Sequence, residues 1–294
     1  MREAAAPMPA AIDAAPLGRR GMWHGVRRNP TLIAGIIILV SVTGVALVAP
    51  LIASDPIAMM PANRLQPPSH AYWFGTDHLG RDVWARTLYG ARISLLVGLA
   101  VAAIAMSIGL LIGLLAGFIR PVETVVMRLM DGLMAIPAIL LAIALVALSK
   151  ASAAVVIAAI AIPEIPRVVR LVRAVVLGVR EQPFVEAAIA SGTRLPKILG
   201  RHILPATLPP LIVQATYVSA SAILIEAALS FLGAGTPPEI PTWGNMIASS
   251  RLYLALAPWT IFCPGLALAC VVLAVNLADD GLRDQLDPRI ARRM

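Results

Sequence analysis

Two carboxylates stand where carboxylates are costly. Glu226 interrupts an apolar run over 208–232, and Glu164 lies between Pro163 and Pro166 in another run over 152–172. A charged side chain at the centre of a membrane helix costs about 2.5–3.5 kcal/mol on insertion scales. Each is therefore expected either to line a solute pathway or to sit in a buried structural pair. Prolines also free backbone carbonyls within a helix, so the Glu164 stretch reads as a water-lined break or an interfacial bend. His70, Asp77, His78 and Asp82 invite a metal, but their spacing makes no facial ligand set, and no metal is expected. Cys263 and Cys270 are seven residues apart, about 10 Å along a helix axis, too far for a disulfide. The chain contains no Gly-x-x-x-x-Gly-Lys-Ser/Thr loop, no His-Glu-x-x-His and no Cys/His cluster. It is expected to be no enzyme, with no catalytic residue and no cofactor of its own.

The elements that must position these groups are membrane spans. Of the 294 residues, 59% are hydrophobic and 14% charged, and the mean hydropathy is +0.83, well outside the range of soluble domains. A bilayer core about 30 Å thick needs around 20 apolar residues in helix. Six runs qualify: 31–53, 93–118, 132–149, 152–172, 208–232 and 258–278. Basic residues cluster between them, which turns the net charge of +8 from a nucleic-acid signal into a topology signal. Arg19, Arg20, Arg27 and Arg28 precede the first span. Arg173, Arg180, Arg194, Lys197 and Arg201 lie between the fourth and fifth, and Arg283, Arg289, Arg292 and Arg293 follow the sixth. An even number of spans with both termini cytoplasmic satisfies all three clusters, although Arg64, Arg81, Arg86 and Arg92 are a partial exception after the first span. The expected division is a cytoplasmic tail over 1–30 and a first membrane helix over 31–53. An external loop with an interfacial segment over 54–92 follows, then a membrane-spanning core over 93–281, with a cytoplasmic tail over 282–294. Near the inner ends, Arg128 and Asp131 are spaced to pair on one helix face. Arg167, Arg170 and Arg173 are placed to meet lipid headgroups or a partner protein.

Between the fourth and fifth spans runs "VEAAIASGTRLPKILGRHILP", Val185 to Pro205. Gly192 suits a left-handed helix end. Thr193 can cap a second short helix with Pro196 in its first turn, and Pro205, Pro209 and Pro210 mark a break before the fifth span. The stretch reads as helix–turn–helix on the cytoplasmic face, either an amphipathic tether or a plug for a partner's groove.

With Glu186-Ala187-Ala188, Gly192 and Leu204-Pro205, this segment resembles the cytoplasmic EAA motif of ABC importer permeases. "RHILP", "WFGTDHLGRDVWARTLYGARISL" (73–95), "EAALSFLGAGTPPEIPTWGNMI" (226–247) and "APWTIFCPGLALACVVLAVNLADDGLRDQLDP" (257–288) are similar to its dipeptide/oligopeptide/nickel branch, and within it to the C-type subunits. Two positions depart from the pattern: His202, where the broad motif is often aliphatic, and Ile165-Pro166, where the branch often has Trp-Pro. The resemblance implies an all-α polytopic protein of the bacterial inner membrane with six transmembrane helices. It implies that the 183–206 loop forms the coupling helices, with Glu186, Ala187, Ala188, Gly192, Leu204 and Pro205 meeting the ATPase. The implied partners are a second permease, two ATP-binding cassette subunits that use ATP and magnesium, and an external solute-binding protein. Di- or oligopeptides are the first expectation for the solute, with nickel or another small solute as the alternative. An ATPase-independent secondary transporter is the rival from another class, and the scarcity of ionisable groups in the spans counts against it.

Overall fold

The computed structural model describes residues 29–149 and 152–286. The N-terminal tail up to residue 28, Lys150, Ala151 and the last eight residues lie outside them. The described residues fold into helices, with one isolated bridge, between Thr76 and Asp82.

Helix α1 spans Pro30–Ile52 and starts where Asn29 accepts hydrogen bonds from the Thr31 and Leu32 amides, with Pro30 in the first turn. Helix α2 runs Val83–Phe118, ten residues longer at its start than the apolar run indicates. Asp82 caps it by accepting from the Trp84 amide at 2.9 Å, so residues 83–92, expected in the external loop, are helical. Arg86 hides from a hydropathy reading because its partners come from the loop: Nη1 donates to the Pro56 carbonyl at 3.0 Å, and Asp77 lies 3.9 Å from Nε.

The expected third span over 132–149 is a bent pair. Helix α3 spans Arg120–Met134, helix α4 spans Ala138–Ala147, and the two meet at 85°. Pro137 at the corner disfavours helical backbone in the residue before it. Helix α5 (Ala153–Arg180) is capped by Ser152 and continues through Pro163 and Pro166, so the expected break is absent. Next come α6 (Pro183–Ala190), α7 (Leu195–Ile198), a π turn (Leu199–Ile203) and α8 (Leu204–Phe231). From Leu195 to Phe231 the chain is continuous helix. Pro205 follows directly on the π turn, and Pro209 and Pro210 lie further inside the helix, so none of the three marks the anticipated break. Helix α9 (Trp243–Ser250) and helix α10 (Trp259–Leu286) complete the chain.

Among the described residues, α1, α2, the α7–α8 run and α10 are long and apolar enough to cross a membrane, and the bent pair makes a fifth candidate. α5 has the length, at 28 residues, but carries Glu164, Arg167, Arg170, Arg173 and Arg180.

The most extensive packing is between α2 and α5. Gly109, Gly113 and Gly117 form a flat lane on α2, into which Val168, Val172 and Val176 of α5 settle. A Cβ on those glycines would come within 2.5, 2.6 and 2.6 Å of the valine Cβ atoms. Without a hydrophobic driving force between helices in lipid, such close backbone approach is the main source of association. One apolar core joins α2, α4, α5 and α8, with Val185, Ile198 and Ile203 reaching it from the 183–206 segment. A second joins α1, α2, α8, α9 and α10 around Trp243, whose Nε1 donates to the Thr87 carbonyl at 3.0 Å.

Candidate functional site: the 183–206 segment and the buried carboxylates

α6 begins at Pro183, two residues after α5 ends, and stops through two hydrogen bonds. The Gly192 amide donates to the Ile189 carbonyl at 2.9 Å and the Thr193 amide to Ala188 at 3.1 Å. This is a Schellman closure, and it requires the left-handed backbone that glycine adopts without strain. Gly192 has φ +73°, with open space where a Cβ would point. Thr193 does not cap the second helix; Arg194 holds that position and makes no capping bond, while Pro196 occupies the first turn as expected.

The segment is anchored on one side and free on the other. Val185, Ile198 and Ile203 are buried, whereas Phe184 is 52% exposed and Ile189 47% exposed. Glu186 and Ala187 are exposed as well, Ala188 is half-buried, and Glu186 makes no side-chain hydrogen bond among the described residues. Leu204 is half-buried and Pro205 exposed. His202 projects from the π turn toward α6, its ring 6.1 Å from that of Phe184. It thus braces the first half of the segment against the second. The π turn and this brace carry no periodic signal and escape a reading of the sequence.

The two carboxylates are fully buried. Glu164, 0% exposed, accepts from Arg167 Nη1 at 3.0 Å. Glu226, 1% exposed, gathers hydroxyls onto Oε1: Ser230 at 2.8 Å, Thr242 at 2.9 Å and Thr236 at 3.4 Å. Thr242 also caps α9 by accepting from the Asn245 amide at 3.1 Å, and Asn245 Nδ2 donates to the carbonyls of Thr236, Pro237 and Ile240. Glu226 therefore ties the 232–242 loop to the end of α8. Its Oε2 has no partner within the described residues.

The other charged candidates also find protein partners. Asp131 pairs with Arg170 and not with Arg128, because α3 presents it to α5; Glu123 pairs with Arg173. The arginines at 167, 170 and 173, expected at headgroups or a partner, thus meet Glu164, Asp131 and Glu123. Asp77 holds Arg81 at 2.7 Å, Asp82 caps α2, and His78 stacks on Tyr253 at 5.2 Å. Burial pushes the His78 imidazole below its ordinary value, Asp77 opposes this, and Arg81, Arg64 and Arg86 push it further down. His70 is exposed, and these four residues do not converge on one point that could hold an ion.

Comparison with known proteins identifies the family. The family described as binding-protein-dependent transport system inner membrane component matches residues 109–292. The N-terminal transmembrane domain of oligopeptide transport permease C matches residues 19–68. A probable peptide ABC transporter permease protein of Sinorhizobium fredii is 60% identical over 267 residues, 91% of this chain and 92% of that protein. A dipeptide transport system permease protein of Alkalihalophilus pseudofirmus is 43% identical, covering 92% of this chain and 90% of its own. A di/tripeptide transport system permease protein of Pseudomonas aeruginosa is 40% identical, covering 99% and 98%. The chain belongs to the binding-protein-dependent transport system inner membrane component family, as a multi-pass permease subunit of an ABC transporter in the inner membrane.

Proposed function

We propose that this chain is one of two permease subunits of an ATP-driven importer of di- or oligopeptides, and that the 183–206 segment is its contact with the ATPase. The permease crosses the membrane six times, through α1, α2, the bent α3–α4 pair, α5, α7–α8 and α10. A 28-residue α5 is about 42 Å long, enough for a core of about 30 Å with its last two turns, from about Arg173 to Arg180, in the headgroups. Both termini are cytoplasmic, a reading supported by Arg173, Arg180, Arg194, Lys197 and Arg201 around the α5–α8 connection. The tail over 1–30, the 54–82 outer segment and the tail from 282 flank this core. A second, similar permease completes the pathway, two ATPase subunits bind ATP and magnesium, and an external binding protein delivers the solute. No cofactor resides in this chain. The peptide, dipeptide and di/tripeptide transport for which the relatives are named supports peptides as the solute.

The observation that carries the coupling assignment is the exposed, Schellman-closed α6, with Glu186, Ala187 and Phe184 turned outward and a two-residue link to α5. A short rigid helix of this kind transmits a push along α5 with little loss. The test is uptake by the reconstituted importer carrying Glu186→Lys or Gly192→Val. Both variants should insert and assemble with the second permease, yet lose transport. Normal uptake by well-expressed variants would sink the assignment.

A further inference from the structure

α5 carries a row of arginines along its C-terminal half, and they reach two neighbouring helices. Arg173 donates through Nε at 2.8 Å and through Nη2 to Glu123 Oε1 of α3. Arg170 pairs with Asp131, two turns further along α3. Arg180 donates to the Gly117 carbonyl in the last turn of α2 at 3.2 Å. α3 itself buries one residue, Met130, and its substantial packing is against α2 and α5 alone, besides the corner it shares with α4. Ala135, Ile136 and Pro137 at that corner are all exposed. The two charge pairs thus tie α3 to α5, beside its packing on α2.

We propose that Glu123 and Asp131 are positioning residues for transport, linking α5 to α3 so that a displacement of α6 swings the α3–α4 corner. This rests on the coupling reading of α6. The chain of contacts is short: α6 is joined to α5 by Glu181 and Gln182, and α5 grips α3 through the two pairs. Glu123–Arg173 dominates, because its side chains are 22% and 31% exposed, against 60% and 43% for Asp131–Arg170. A partly buried pair is screened less by water and salt than an exposed one. The 85° corner is the element that such a link can move: an exposed corner has few contacts to break, whereas α2 and α5, locked by the glycine lane, move as one body.

The test uses the complete importer in proteoliposomes, with Cys263 and Cys270 replaced by Ala and Ile136→Cys as a reporter at the corner. Maleimide labelling of that cysteine is timed with and without ATP. In the parent protein, ATP should change the labelling rate about tenfold, the scale of coupling between linked sites. Glu123→Arg and Arg173→Glu should each reduce the change to less than about twofold while the ATPases still co-purify and hydrolyse ATP. The exchanged pair Glu123→Arg/Arg173→Glu should recover most of the response, because coupling in a contacting pair is visible in a double-mutant cycle. Arg128→Glu, which removes no ion pair seen here, serves as the control and should leave the response unchanged. An unresponsive parent, responsive single variants, or an exchanged pair that stays silent would each overturn the proposal. So would loss of assembly in all the charge variants, which would make the pair a determinant of folding. Glu186→Lys in the same background separates the two readings: a preserved ATP response there removes the coupling role of α6, whatever the charge pair does.

Discussion

At the scale of single residues, Glu226 illustrates how a membrane protein keeps a carboxylate away from lipid. Three hydroxyls converge on one of its oxygens, and two of them, from Thr236 and Thr242, belong to the loop that follows α8. Removing the acceptor strands them in a dry site, at about 1–3 kcal/mol for each buried group left unpaired. Glu226→Ala should therefore lower the melting temperature of the detergent-solubilised protein by several degrees and expose the 232–242 loop to protease. Glu226→Gln retains an acceptor oxygen and should cost far less. Equal losses in the two variants would show that the charge, and not the hydrogen bonding, holds the loop. Both buried carboxylates stand out in the sequence by their apolar surroundings. Glu164 finds Arg167 at ordinary helical spacing, whereas Glu226 is bonded to Thr236 and Thr242, up to 16 positions away across a turn, a distance at which no helical spacing rule applies.

At the scale of elements, the apolar runs locate α1, α8 and α10, because a segment that must satisfy its own backbone in lipid is read by length and hydropathy alone. Gly192 is likewise legible, since a left-handed helix end has few alternatives to glycine. What sequence reading misses is set by partners distant in the chain. α3 escapes notice as a separate element because Glu123 and Asp131 find their partners in Arg173 and Arg170, 50 and 39 residues away. The extra turns of α2 are hidden for the same reason by Arg86 and its loop partners. Packing between elements yields a direct test at the glycine lane. Gly113→Leu places its Cβ about 2.6 Å from that of Val172, and overpacking of this kind costs about 1–3 kcal/mol or more. The variant should express poorly and melt several degrees lower. Gly132→Ala on α3, where nothing lies within 4 Å, should be neutral. A Gly113→Leu protein as stable as the parent would mean that α2 and α5 do not pack through this lane.

At the scale of the whole molecule, the proposed six crossings would place Ser69 and Ser191 on opposite sides of the membrane, and both residues are exposed. In a background with Cys270, which is exposed, and Cys263 replaced by Ala, the prediction is specific. Ser69→Cys should react with an impermeant maleimide in spheroplasts, and Ser191→Cys should react after the membrane is opened. Labelling of both from the outside would require an even number of crossings between them and would overturn the topology.

The glycine lane also bears on how the chain is made. α5, with Glu164 and four arginines along its length, is a poor candidate for entering lipid by itself, since each charge near a helix centre opposes insertion by about 2.5–3.5 kcal/mol. α2 is translated first and presents a groove of matching shape. The nascent α5 can slide from the insertion machinery with its valine face against that groove, while Arg170 and Arg173 meet Asp131 and Glu123 of α3, which is also made earlier. In this view Gly109, Gly113 and Gly117 act on the newborn chain as a landing strip, and the order of synthesis becomes part of the fold.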